Sequence, residues 1–334
     1  GAYYIEPLPP RSLPSRLPIS AENAPNLREV ARLQGNLLPQ LAFAPSGAEI
    51  AVPGGLGMDA LLLYSIEALD AAPRIVAGPV NLAANSLSWV VNPQQILLGG
   101  ANGGVYLWDL REDSALRERL YLQTHERDAL VALRPDGVRF ASAGVNARTI
   151  SEIDRTNGVL VWNLDTLAQM AALESAAPVV GLGWSPDGAR LFLLDARGSL
   201  AVYDATGDVF SETVRAELGE ARALAISPNG QFLAVAGGDG TVQLVDGFSL
   251  SVVARYTGHL SAANAVAFSP DSSLLLSGGD DGTLRLWNTQ TDQNVAVLEA
   301  NRQPVLEVQF SPEGSLIAGV VQDRTVRFFA VAQN

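Results

Sequence analysis

Turn prolines recur along this chain of 334 residues, and their period constrains the fold more than any other feature of the sequence. From Pro186 onward successive markers lie 42 residues apart, and the earlier spacings are 48, 42 and 51 residues. The markers are Pro45, Pro93, Pro135, Pro186, Pro228, Pro270 and Pro312. An aromatic or apolar residue follows each marker, at Tyr64, Trp108, Trp162, Tyr203, Val245, Trp287 and Phe329. A period of this length predicts an array of seven similar units, each stabilised by its neighbours.

The unit is clearest at residues 258–287. An alternating run up to Phe268 ends at a Ser-Pro-Asp turn, and Leu274–Leu276 follow as a short buried run. Asp281-Gly282 predicts a two-residue hairpin connection, because Gly supplies the positive φ that such turns need. The residues from Thr283 to Trp287 then alternate again, so the unit consists of β-strands joined by turns.

This stretch resembles a WD repeat, the module of WD40 β-propellers, with Asn288 where the terminal Asp of the motif usually stands. In that family, four side chains of a repeat form a buried hydrogen-bond chain. The resemblance assigns this structural tetrad to His259, Ser277, Asp281 and Trp287. Such a chain satisfies every polar group that the blade buries.

A second, incomplete tetrad is expected at His125, Ser142 and Trp162. The turn Asp of this repeat is displaced by an insertion at residues 145–158, which is about ten residues longer than a tight turn. The inserted loop contains Arg148 and Arg155. We expect it to project as a side wall from the face that binds partners.

The resemblance implies an all-β fold, a seven-bladed β-propeller of four-stranded antiparallel blades. Residues 28–35 parallel residues 252–258, which form an outer strand, whereas the chain stops just after a third strand. The N-terminal strand should therefore complete the last blade and close the ring. We expect a single propeller over residues 28–334. Residues 1–27, which contain six prolines, read as a linker, with an ordered arm over the propeller edge as the alternative.

Missing residue types exclude several chemistries. The chain has no Cys, and all 22 basic residues are Arg, so it has no thiolate metal site, no Cys nucleophile and no Schiff-base or Walker lysine. Both of its histidines fall at tetrad positions, which leaves none for a Ser-His-Asp site. We therefore expect a protein that is not an enzyme and that has no cofactor and no metal site.

The formal charge of −13 argues against nucleic acid as a partner, because nucleic-acid binding needs a basic surface. No apolar run is long enough to span a bilayer, so we expect no direct membrane insertion. The sequence opens on Gly1 instead of Met, which is compatible with an upstream signal or anchor. Arg without Lys, together with abundant Ala, suggests a GC-rich bacterial genome, and an extracytoplasmic setting is favoured slightly over a cytoplasmic one.

In propellers that this chain resembles, partners usually bind the narrow face, which consists of the loops before each first strand and the turns between the second and third strands. Two positions per blade point to the centre of that face. Six residues before each marker these are Pro39, Leu87, Ala129, Val180, Arg222, Asn264 and Leu306. Eight residues before, they are Leu37, Asn85, Arg127, Pro178, Glu220, Ala262 and Pro304. An apolar rim with a few charges favours a peptide or protein partner.

The leading hypothesis is a monomeric, non-enzymatic scaffold that binds a peptide or protein segment. Its partner-binding residues would be Leu87, Arg127, Val180, Glu220, Arg222, Asn264 and Leu306, with Arg148 and Arg155 from the inserted loop. Two alternatives stay open. One is a metal-dependent hydrolase or lactonase that uses carboxylates in the central channel, and the other is a binder of a small ligand in that channel.

Overall fold

The computed structural model describes residues 17–54, 60–77, 83–90, 94–111, 118–123, 125, 128–144 and 158–331. In these residues, one short 3-10 helix (Ala24–Asn26) accompanies strands that form seven four-stranded antiparallel sheets. The fold is a seven-bladed β-propeller, which confirms the fold class that the repeat period predicts.

The blades are numbered along the chain, and β1 (Leu27–Gln34) precedes the first. Blade one has β2 (Ala42–Phe43), β3 (Glu49–Gly54), β4 (Ala60–Ser65) and β5 (Arg74–Ala77). Blade two has β6 (Ala84–Trp89), β7 (Gln95–Gly100), β8 (Gly104–Asp109) and β9 (Glu118–Gln123). Blade three has β10 (Ala129–Leu133), β11 (Arg139–Gly144), β12 (Val159–Asn163) and β13 (Gln169–Leu173). Blade four has β14 (Val179–Trp184), β15 (Arg190–Asp195), β16 (Ser199–Asp204) and β17 (Ser211–Glu217).

Blade five has β18 (Ala221–Ile226), β19 (Phe232–Gly237), β20 (Val242–Asp246) and β21 (Val252–Tyr256). Blade six has β22 (Ala263–Phe268), β23 (Leu274–Gly279), β24 (Thr283–Asn288) and β25 (Asn294–Glu299). Blade seven has β26 (Val305–Phe310), β27 (Ile317–Val321) and β28 (Thr325–Val331), with β1 as its fourth strand. All seven marker-linked residues from Tyr64 to Phe329 lie on third strands, so the 42-residue period reflects the blade.

The N-terminal strand closes blade seven. β1 pairs antiparallel with β28 from Leu27 opposite Val331 to Gln34 opposite Thr325, with an irregularity after Glu29. Nη1 of Arg327, a residue that is 3% exposed, donates to Oε2 of Glu29 at 3.2 Å across this pair. The expected closure by the N-terminal strand is confirmed.

Residues 17–26 of the expected linker pack as an arm against blades six and seven. The backbone N–H of Ile19 donates to the carbonyl oxygen of Gly314 at 2.8 Å. Ile19 and Ala24 are buried in one apolar cluster with Leu298 and Val331. Residues 1–16 lie outside the described part of the chain.

The chain divides into two compact units, residues 1–75 with 222–334 and residues 76–221. In the first unit, separate apolar clusters join blades five and six, blades six and seven, and blades seven and one. In the second unit, clusters join blades two and three and blades three and four. Within each unit, neighbouring sheets thus bury their faces against one another, as expected for a repeat array.

One local prediction is wrong in detail. The connection between β23 and β24 has three residues, Asp280–Gly282, instead of two, and the N–H of Gly282 donates to the carbonyl of Gly279 at 3.1 Å. Gly282 has a φ of +73°, and a Cβ there would lie 2.6 Å from Cα of Arg302, so both backbone conformation and space favour glycine. The first strand of blade one has two residues because the backbone before Ala42 leaves the ladder.

The closing strand should be essential to stability. Leu33 of β1 is fully buried in the cluster of blades seven and one, and Leu33→Ala should cost about 2–5 kcal/mol of unfolding free energy through lost burial and a cavity. Urea unfolding followed by tryptophan fluorescence measures this cost, with the exposed Asn36→Ala as the matched control. Equal midpoints for both variants would refute a structural role for the strand.

Candidate functional site

The tetrad of blade six forms a continuous hydrogen-bond chain. Nδ1 of His259 lies 3.1 Å from Oδ1 of Asp281, and Nε2 of His259 lies 2.8 Å from Oγ of Ser277. Nε1 of Trp287 donates to the same Oγ at 2.9 Å. Because the indole can only donate, the Ser277 hydroxyl donates to Nε2, and Nδ1 of a neutral His259 donates to Asp281. All ring nitrogens are thus engaged within the blade.

Electrostatics keep this chain in one protonation state. Burial lowers the pKa of His259, although the hydrogen bond and charge of Asp281 act in the opposite direction. Burial alone would raise the pKa of Asp281, but hydrogen bonds from Leu260, Thr283 and His259 bring it below its usual range. A neutral imidazole beside an ionised carboxylate positions the turn. It is not free to transfer protons to a substrate.

Blade three repeats part of this arrangement. Nε2 of His125 lies 3.1 Å from Oγ of Ser142, and Nε1 of Trp162 donates to that Oγ at 3.1 Å. The Trp162 ring stacks on Phe140, with 6.3 Å between centroids. The inserted loop with Arg148 and Arg155 lies outside the described residues, as does Arg127.

A polar cluster on the narrow face links three blades of the first unit. Nη1 of Arg222 donates to Oδ1 of Asn264 at 2.7 Å and to Oδ2 of Asp280 at 3.3 Å. Nδ2 of Asn264 donates to Oδ1 of Asp280 at 2.6 Å and to the carbonyl of Val305 at 3.1 Å. Two of the expected rim residues, Arg222 and Asn264, are therefore held together by an acid that rim counting missed. We call Arg222, Asn264 and Asp280 the bridging cluster.

Apolar side chains accompany the bridging cluster in the same unit. Leu306, next to Val305 on β26, is half-buried. Leu260, which precedes β22, is 88% exposed, and its N–H donates to Oδ2 of Asp281 at 3.0 Å. Rim counting missed Leu260 because it lies in the loop, ten residues before the marker and not six or eight.

In the second unit, Leu87 and Val180 are half-buried and Glu220 is exposed. Nδ2 of Asn85 donates to Oδ1 of Asp128 at 2.5 Å, which links blades two and three. Three of the positions that lie six or eight residues before a marker proline are buried, with 0–7% of their surface exposed: Leu37, Ala129 and Ala262. Counting from a marker ignores whether a strand is regular, and it therefore misplaces residues beside irregular backbone.

The neighbouring carboxylates Asp280 and Asp281 bind different partners. Asp280 and Asp281 lie in a turn, where Asp280 binds Arg222 and Asn264 while Asp281 binds His259. In the part of the chain that the structure describes, no group of three or more His, Cys, Asp or Glu side chains could hold a metal ion. Within the same residues, no helix has the length and apolar character to cross a membrane.

An acid that sequence reasoning missed lies on the inner strand of blade seven. Nε2 of Gln309 donates both to Oε1 of Glu307 at 2.9 Å and to the carbonyl of Leu41 at 2.7 Å. Oε2 of Glu307 is buried and has no hydrogen-bond partner among the described residues. A comparison of the repeats could have revealed this pair, because blades five and six have alanines at the same places.

Comparison with known proteins supports the repeat assignment. Residues 213–246, 250–288 and 292–329 match the model of the family described as WD domain, G-beta repeat. Each match contains an outer strand and the next three strands, so the sequence repeat is offset by one strand from the blade. Three segments of the chain are therefore similar to WD40 repeats, and one of them includes the motif at residues 258–287.

A curated relative is similar over part of its length. Protein groucho of Drosophila melanogaster is 28% identical over 163 residues, which cover 47% of this chain. The match spans only 21% of groucho, about a fifth of that protein. The comparisons do not bear on a bacterial origin or on an extracytoplasmic setting, and both stay predictions.

The blade-six tetrad generates a stability prediction. Ser277→Ala removes the shared hydroxyl and leaves buried groups of His259 and Trp287 unsatisfied, which should cost about 1–3 kcal/mol. The exposed Ser261→Ala is the matched control and should change stability by less than about 0.5 kcal/mol. Chemical denaturation of the two variants measures the difference, and a silent Ser277→Ala would contradict the role of the tetrad.

A pH dependence follows from the second histidine. Burial lowers the pKa of His125 to about 4, against a hydrogen bond to the backbone of Ser142 that raises it. Between its ordinary pKa of about 6.5 and pH 4 the unfolded chain binds a proton that the folded chain does not, so stability falls as pH falls through this window. The effect should be on the order of 2 kcal/mol.

His125→Gln should therefore lose less stability than the wild type when pH is lowered from 7 to 4.5. Scanning fluorimetry at several pH values provides the comparison, with Tm differences referred to pH 7. If both proteins decline in parallel, the buried imidazole does not titrate as inferred.

Proposed function

We propose that this protein is a non-enzymatic interaction scaffold that binds a peptide or protein segment on its narrow face. A WD40 propeller is typically a protein-interaction scaffold, and this coarser assignment rests on the fold and on the matched repeats. The face, the site and the nature of the bound segment are our proposal.

The observation that carries the proposal is the bridging cluster. It connects β18, the β23–β24 turn and β26, so its geometry is set by three blades and not by one loop. A binding group that is already held in place loses little conformational entropy when a partner docks. Such preorganisation is what a recognition surface requires.

Arg222 retains binding capacity within this cluster. Both of its hydrogen bonds use Nη1, and among the described residues none is made by Nε or Nη2. The side chain of Arg222 is 40% exposed and that of Asp280 is 37% exposed, so both groups can be reached by a partner. The remaining N–H groups can donate to a carbonyl or carboxylate of a bound segment.

Leu260 and Leu306 supply apolar area on the same face. An apolar centre beside an anchored arginine is the usual composition of a binding hot spot. Leu87, Val180 and Glu220 would extend the surface in the second unit, with Arg127, Arg148 and Arg155 as further contacts. The bound segment would then meet apolar contacts in its centre and polar contacts at its rim.

The absence of catalytic residue types supports a role without catalysis. The chain has neither Cys nor Lys, and the nitrogens of His259 are used in its tetrad. We further propose that the propeller acts as a monomer, with the proline-rich residues 1–16 as a tether in an extracytoplasmic bacterial setting. Protein partners fit the net charge of −13 better than nucleic acid does.

Selection from a displayed library of random linear peptides tests the proposal without knowledge of the natural partner. Enriched peptides should bind the wild-type protein in a fluorescence-polarisation assay. The double variant Arg222→Glu/Leu306→Asp should weaken their binding at least about tenfold, because it reverses the anchoring charge and removes apolar area.

A matched control places the same type of change elsewhere. Val253→Asp/Arg255→Glu alters two exposed residues of the outer strand β21 and should leave peptide binding unchanged. If the control loses binding and the first variant keeps it, the assigned face is wrong. A library that yields no binding peptide would count against the scaffold role.

A further inference from the structure

The seam between the inner strands of blades seven and one contains a polar pair that blades five and six lack. Glu307 and Gln309 lie on β26, five and three residues before Pro312. The same positions are Ala265 and Ala267 in blade six, and Ala223 and Ala225 in blade five. Glu307 faces Val320 in the β26–β27 register as Ala265 faces Gly278 in β22–β23, so the positions are structurally equivalent.

The polar pair replaces ladder hydrogen bonds that blade one does not make. Its first strand contains only Ala42 and Phe43, so the backbone just before it needs other partners. Nε2 of Gln309 satisfies the carbonyl of Leu41 at 2.7 Å and at the same time holds Oε1 of Glu307. Gln309 thus bridges the backbone of blade one and the Glu307 carboxyl group at this point of the seam.

The surroundings of Glu307 favour its neutral form. Oε2 is buried without a hydrogen-bond partner among the described residues. The strands β2, β22, β23 and β27 and residues 37–41 contain no Arg, His, Asp or Glu. An ionised carboxylate here would be desolvated and would lack a cation to balance it.

The charged residues of strands β24 and β28 are engaged with partners other than Glu307. Arg285 on β24 donates from Nε to Oγ1 of Thr283 at 3.3 Å. Arg327 on β28 donates to Glu29 and lies 3.7 Å from Oδ2 of Asp323. Burial raises the pKa of Glu307 to about 8, although hydrogen bonds from Gln309 and the Leu41 backbone oppose the shift.

We propose that Glu307 is a proton-dependent latch that holds the inner strands of blades seven and one together. In its neutral form, the carboxyl group places no buried charge in the seam, and the hydrogen bond from Gln309 to the carbonyl of Leu41 holds the two strands together. Loss of the proton places an uncompensated charge in the seam, and the contact between β26 and residues 37–43 loosens. The latch depends on the fold and does not require the proposed partner binding.

The direction of the pH effect follows from linkage. When the seam opens, the pKa of Glu307 returns to its ordinary value of about 4.5, whereas in the closed seam it is raised. The closed form therefore binds a proton that the open form releases, and closure weakens as pH rises from about 4.5 to about 8. Above pH 8 both forms are ionised, so the effect levels off.

Hydrogen–deuterium exchange tests the latch on the intact chain. Protection of peptides that cover residues 37–43 and 305–310, corrected for the intrinsic pH dependence of exchange, should fall at least about tenfold in the wild type between pH 6 and 9. Glu307→Gln keeps the shape and a neutral side chain, and its protection should be independent of pH. Glu299→Gln, an exposed change on β25, should behave as the wild type does.

A second variant keeps the test decisive if Glu307→Gln is poorly folded. Glu307→Ala/Gln309→Ala reproduces the residues of blades five and six and should also remove the pH dependence. Protection from exchange that does not change with pH in the wild type would overturn the latch. If either Glu307 variant loses as much protection between pH 6 and 9 as the wild type does, another group titrates, and this result would overturn the latch as well.

Discussion

The pairing of β1 with β28 is the constraint on which the first unit depends. Blade seven is built from the two ends of the chain, so its outer strand forms only after the rest of the sheet has been made. The partly buried ion pair between Glu29 and Arg327 and the burial of Leu33 attach this strand on both faces. The arm at residues 17–26 extends the attachment to blade six, because Ile19 and Ala24 share a cluster with Leu298. Closure thus removes an edge strand that would otherwise be free to pair with other chains.

The polar groups of the blades form two sets, one hydrogen-bonded inside a single blade and one exposed between blades. The tetrad of blade six and the residues His125, Ser142 and Trp162 of blade three form hydrogen bonds within their own blades, so we assign them a structural role. The bridging cluster is exposed and joins three blades, so it can contact a partner without losing its own geometry. Packed sheets with partly used hydrogen-bond donors at their loop ends are well suited to recognition. The proposed scaffold role follows from this difference.

The seam between blades seven and one shows how a repeat array acquires an exception. The shortened first strand of blade one leaves the backbone at Leu41 without a ladder partner, and Gln309 supplies one. The strand that carries Gln309 also places Glu307 in this seam, where blades five and six have alanine. A defect in one strand is thereby compensated by a polar pair that introduces a sensitivity to protonation. The position of this exception beside the closing blade places it where loosening has the largest structural effect.

The sequence by itself determined the blade count, the third-strand residues and the closing strand, because each depends on a local pattern that recurs along the chain, at 42-residue intervals from Pro186 onward. It also identified His259, Ser277, Asp281 and Trp287, which one repeat holds together within 29 residues from His259 to Trp287. Only the tertiary structure decided that Asp280 joins Arg222 and Asn264, that Ala129 and Ala262 are buried, and that Gln309 meets Leu41. These contacts connect different blades and depend on side-chain direction and on local strand irregularities. A repeat pattern specifies each unit, but what its exceptional residues touch is set by the neighbouring units.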